Sequence, residues 1–138
     1  MLRPLGKGVL VSAGAAIAGL FAGNALFPPG PSQDTTDALP FTLIGAFLIL
    51  WPFYAQLRGR IETGIARYVV LAIIGFVTGG ALLGLTLALA GVSYPKTLDL
   101  ALIGAGYGGL TAVFWCILDW AFSQISASDG RGSERPDR

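Results

Sequence analysis

Between Tyr68 and Ala90 the chain reads YVVLAIIGFVTGGALLGLTLALA, without a charge or a proline. A helix rises about 1.5 Å per residue and the bilayer's hydrocarbon core is about 30 Å thick, so about 20 apolar residues cross it. This run exceeds that length, and Arg67 marks one flank. It reads as a transmembrane helix. One such helix constrains the whole chain, because backbone amides inside lipid must be satisfied within helices or closed barrels.

Three more runs follow the same logic. Gly8–Phe27 is uncharged, with Ser12 and Asn24 as its polar residues; Leu39–Leu57 and Asp99–Phe122 complete the set. Charged residues make up 12% of the chain, against about 25% in a soluble domain. The predicted fold is an all-α membrane protein, a four-transmembrane-helix antiparallel bundle with spans at about 8–27, 39–57, 68–90 and 99–122. The remainder, 123–138, is polar and mixed in sign, and reads as a disordered cytoplasmic tail. Pro52 lies inside the second span, so a kink or local break is expected near Leu48–Pro52.

Charge placement sets a direction. Arg3, Lys7, Arg58, Arg60, Arg67, Arg131, Arg135 and Arg138 fall on one side of these spans and Lys96 alone on the other. The positive-inside rule then puts both termini in the cytoplasm, and loops 28–38 and 91–98 outside, in a bacterial-type inner membrane. The first span has a second reading. A basic start, an apolar run and Gly23-Asn24-Ala25 also fit a secretory signal peptide cleaved after Ala25. A retained helix is the preferred reading, since the run is longer than a usual signal core.

Small residues recur at helical spacing. Gly19 and Gly23 form a GxxxG pair on the first span, which permits close backbone approach. On the third span, Ala72, Gly75, Gly79 and Thr86 form one face, expected to meet the stripe Gly104, Gly108, Thr111, Trp115 and Asp119 on the fourth. Gly80, Gly84 and Ala88 form another, expected to serve the first span, a second copy or a foreign subunit. The glycines from Gly104 to Gly109 are not a nucleotide loop: no strand precedes them and no Lys-Ser/Thr follows.

Catalytic chemistry has little material. The chain has no histidine and one cysteine, Cys116, so Cys/His zinc sites, His-dependent nucleophiles and axial histidine to haem are excluded within it. No cofactor, no metal and no enzyme activity are expected. A net charge of +1 gives no sign of nucleic-acid binding. Cys116 reads as a small buried apolar residue, and Trp51, Trp115 and Trp120 as interfacial belt residues.

Asp119 lies near the expected cytoplasmic end of the fourth span. It reads as a headgroup-zone carboxylate paired with Arg58, Arg60 or Arg67; a proton or cation site is the alternative. Tyr107, in the middle of the fourth span, needs a hydrogen-bond partner, for which Thr78, Thr86 or a freed carbonyl is available. The leading functional expectation is a non-enzymatic accessory or scaffold subunit, or a homo-oligomer. Its partners would be the lipid bilayer and other membrane subunits or itself. The alternative is a small oligomeric channel or transporter lined by Thr78, Thr86, Tyr107, Thr111 and Asp119. Lipid or quinone binding between helices stays open.

Overall fold

The computed structural model describes residues 2–29, 34–36, 38–61, 64–91 and 96–131, with side chains described between Leu5 and Ile125. Parts of the expected loops 28–38 and 91–98, Glu62, and residues 132–138 of the expected tail lie outside the described residues. Every described element is a helix. They are α1 (Leu2–Leu26), α2 (Leu39–Ile44), a π-helical segment (Gly45–Leu50), α3 (Trp51–Arg58), α4 (Gly64–Leu89) and α5 (Lys96–Arg131). Four stretches among them are long and apolar enough to cross a membrane: Leu5–Leu26, Leu39–Arg58, Gly64–Leu89 and Lys96–Ile125. The chain is therefore a multi-pass helical membrane protein.

Two ends differ from expectation. Helix α1 begins at Leu2, so Lys7 sits inside the helix and not ahead of it. Helix α5 continues through Arg131, past the expected end at Phe122, and its 36 residues make it about 54 Å long. The segment 123–131, expected to be disordered, is an extension of that helix.

The second span is one continuous rod made of three pieces. Pro40 stands in the first turn of α2, where a missing N–H costs nothing. Pro52 stands in the first turn of α3 and cannot donate. The chain answers with a wider turn upstream: the Trp51 N–H reaches back five residues to the Ala46 carbonyl. The expected break is thus a π segment that starts earlier, at Gly45. Helix α4 ends where Gly91 takes φ 79°, a left-handed value that glycine adopts without strain.

Helix α5 is the centre of the packing, with its most extensive contacts on α4 and its next on α1. The enclosed residues are mostly small: Ala15, Ala16, Ala46 and Ala112 are all completely buried. Large apolar side chains such as Phe21, Leu48, Ile73, Phe76 and Leu102 point outward. That inversion suits a protein whose solvent is hydrocarbon, where close backbone packing holds helices together.

The glycines explain the closest approaches. A Cβ placed at Gly75 would stand 2.6 Å from the Gly108 carbonyl oxygen, and one at Gly104 would stand 2.7 Å from the Gly79 carbonyl oxygen. Gly79 and Gly108 are equally closed in, by Gly104 and Gly75 respectively. The second α4 face is covered at Gly80 and Gly84, while Ala88 is exposed. A Cβ on Gly80 would lie 3.1 Å from the Ala101 carbonyl oxygen, and one on Gly84 would lie 3.1 Å from Ala101 Cβ. Helix α5 reaches the glycines of both faces, because a seam this close spreads contact across a wide arc of each helix. On α1, Gly19 abuts Thr111 and Gly23 abuts the Tyr107 ring.

Candidate functional site

Two places in the bundle gather polar groups. They lie at different depths, about 12 Å apart along α5, as judged from the eight residues between Thr111 and Asp119.

The first is centred on Asp119, which is 5% exposed. Its Oδ1 pairs with Lys7 Nζ at 2.8 Å. Its Oδ2 accepts from Tyr54 Oη at 2.6 Å and Tyr68 Oη at 3.0 Å. Lys7 also donates to Ser123 Oγ at 2.9 Å, and Ser123 Oγ donates to the Asp119 carbonyl at 2.7 Å. Helices α1, α3, α4 and α5 thus converge on one carboxylate. The Tyr54 and Tyr68 rings lie parallel, with centroids 6.4 Å apart, and Tyr54 leans on Trp115 at 4.5 Å.

The counter-ion corrects the expected pairing with Arg58, Arg60 or Arg67. Arg58 and Arg60 are exposed, and the half-buried Arg67 leaves its Nε without a partner among the described residues. Lys7 reaches Asp119 because α1 starts early and a long lysine stem can lie along apolar surface while placing its amine elsewhere. Trp115 is a second correction. It is 2% exposed and donates Nε1–H to Ser12 Oγ at 3.1 Å, so it is a core residue and not part of an interfacial belt. Lys7, Tyr54, Tyr68, Asp119 and Ser123 each have a protein partner, and the arrangement works as a four-helix clasp.

The second place is a cleft of about 350 Å³. Its floor is the glycine seam itself, Gly75, Gly79, Gly104 and Gly108, where the absence of side chains leaves a recess. Leu82, Leu83 and Ile103 form apolar walls. Thr42, Gly45 and Leu50 of the second span form another side. The recess persists because the second span meets α4 through its π segment and α3, while α2 leans on α1. Phe27, Pro28 and Asp34 stand at the α1 end of the cleft.

Polar atoms inside the cleft are few. Thr42, Thr78 and Thr111 donate their hydroxyls to carbonyls of their own helices: Leu39 at 3.0 Å, Ile74 at 2.6 Å and Tyr107 at 2.8 Å. Tyr107 donates to Asn24 Oδ1, and Asn24 Nδ2 donates to the Thr35 carbonyl at 2.6 Å. The expected partners of Tyr107 are Thr78, Thr86 or a freed carbonyl, and the phenol meets Asn24 instead. Both threonine hydroxyls turn to their own helix, Thr86 bonding the Leu82 carbonyl at 2.7 Å. Asn24 is the residue that sequence reasoning missed, since nothing in a helical repeat tells which neighbouring helix a phenol will meet.

Asp119 and Thr86 do not line the cleft, so the five residues expected to line a channel are split. Among the described residues, no three His, Cys, Asp or Glu side chains come together as a metal-binding group would. No protein-family model, curated protein or solved structure matches the chain.

Proposed function

We propose that the protein is a non-enzymatic, multi-pass protein of a bacterial-type inner membrane that holds an apolar molecule, drawn from the bilayer, in the cleft between α2, α4 and α5. The cleft carries this reading. Its volume of about 350 Å³ falls within the 300–1,000 Å³ or so of small-molecule sites. Its walls are predominantly apolar, with a few placed polar groups, the usual make-up of such sites. In this reading the bundle is antiparallel with both termini cytoplasmic, as the one-sided distribution of lysine and arginine favours. This reading keeps helix α1, whose Val11, Ala15 and Ala16 are buried in the bundle. The accessory-subunit or homo-oligomer reading is the alternative, and it draws less support from Gly80 and Gly84, which α5 approaches.

The test is retention of a bound molecule. Purified gently from native membranes, the wild type should carry a defined apolar compound detectable by native mass spectrometry. Gly45 lines the cleft and has open space where a Cβ would stand. Gly45→Phe should therefore empty the cleft while the protein still elutes as a folded species. Equal retention by this variant, or only bulk lipid in the wild type, would reject the proposal.

A further inference from the structure

The polar end of the cleft shows what kind of head group it accepts. Among the described residues, no lysine or arginine lines the cleft, and its one formal charge is the carboxylate of Asp34. An anionic head such as a phosphate seeks several charge-assisted donors, and no cationic side chain among the described lining residues offers one. The three threonine protons are already committed to helix carbonyls. What remains free is mostly acceptor capacity. Among the described residues, the Tyr107 oxygen and Asn24 Oδ1 each keep a lone pair, and Asn24 Nδ2 keeps its second N–H.

A hydroxyl matches that set. It donates to the Tyr107 oxygen and accepts the remaining Asn24 N–H. A quinone carbonyl, which only accepts, would use the single amide proton and leave the oxygens unmet. Resting on the cleft reading above, we infer that the occupant is an uncharged long-chain alcohol, with its hydroxyl at the Tyr107–Asn24 pair and its chain along the glycine seam. Isoprenols and acylglycerols share this head chemistry. Their phosphorylated counterparts bind there more weakly.

The experiment uses the full chain in uncharged phosphatidylcholine nanodiscs and two photoactivatable probes of equal chain length, a diazirine fatty alcohol and its phosphate ester. Labelled peptides are mapped. The alcohol should label Phe41, Leu82 and Leu83 saturably, and the phosphate should label them about tenfold less, the scale of one hydrogen bond. Tyr107→Phe keeps the ring against Gly23 and removes one oxygen. It should weaken alcohol labelling several-fold, with the unfolding temperature serving as the control on fold. Labelling by the phosphate equal to that by the alcohol, or unchanged labelling in Tyr107→Phe, overturns the head-group assignment and leaves the cleft reading standing. If neither probe labels these residues above lipid-facing positions such as Ile73, the cleft reading itself falls.

Discussion

Asp119 and Lys7 are unequal partners. The carboxylate side chain is 7% exposed and the lysine side chain 33%. Removing either leaves the other behind, and the cost depends on where that survivor sits. Lys7→Met strands a buried carboxylate with two phenols and no cation. Losing one partner of a fully buried pair costs about 3–5 kcal/mol. Screening at a lysine one-third exposed should reduce that to about 1–3 kcal/mol. Asp119→Asn strands a lysine that can turn toward headgroups, and the amide oxygen still accepts from a tyrosine. Lys7→Met should therefore destabilise more than Asp119→Asn in thermal unfolding in mild detergent. The reverse order would mean that the Tyr54 and Tyr68 hydrogen bonds, and not the ion pair, carry the clasp. Ser12→Ala should cost about 1–2 kcal/mol on its own, because it leaves the buried Trp115 N–H unmet.

The α4–α5 seam makes a sharp contrast between neighbouring positions. A Cβ at Gly108 would collide with the Gly75 carbonyl, which belongs to backbone and cannot yield. A Cβ at Gly109 would meet Phe76 Cδ2 at 3.5 Å, an ordinary contact. Gly108→Ala should cost about 1–3 kcal/mol through forced separation of the helices. Gly109→Ala should be neutral or stabilise by up to about 1 kcal/mol, since alanine is the better helix former. Unfolding of both variants in mixed detergent micelles checks the opposite signs. Equal effects would show that the seam tolerates a methyl group. The existence of these helices was legible in the chain, because long uncharged runs leave hydrocarbon no alternative structure. Which residues meet was less so. Helical spacing placed Gly75 and Gly79 on one face, but it could not reveal that α5 also covers Gly80 and Gly84. The proline foretold a disturbance in the second span, whereas the position of the π segment depends on how Ala46 and Leu50 pack, which no local signal encodes. Lys7 was hidden by a boundary drawn at the last charge, although the helix begins at Leu2.

At the scale of the whole molecule, the two ends of the bundle do different work. The Asp119 clasp ties together helices from every span at one end. Toward the other end, α2 stands away from α4 and the cleft opens. Arg58 and Arg60 lie at the clasp end of the second span, and Thr35 and Thr36 precede it at the cleft end. The proposed orientation puts the clasp at the cytoplasmic face and the cleft toward the outer leaflet, so chemistry from one side can separate them. Thr36 and Gly59 are both exposed and flank the second span. The native Cys116 is shielded at 9% exposure and should stay silent toward a membrane-impermeant maleimide. In intact cells that reagent should label Thr36→Cys and spare Gly59→Cys, which should react only after permeabilisation. Labelling of Gly59→Cys alone would invert the bundle and turn the cleft toward the cytoplasmic leaflet. Labelling of both in intact cells would mean that Leu39–Arg58 does not cross the bilayer, and the cleft would then lack the wall that α2 provides.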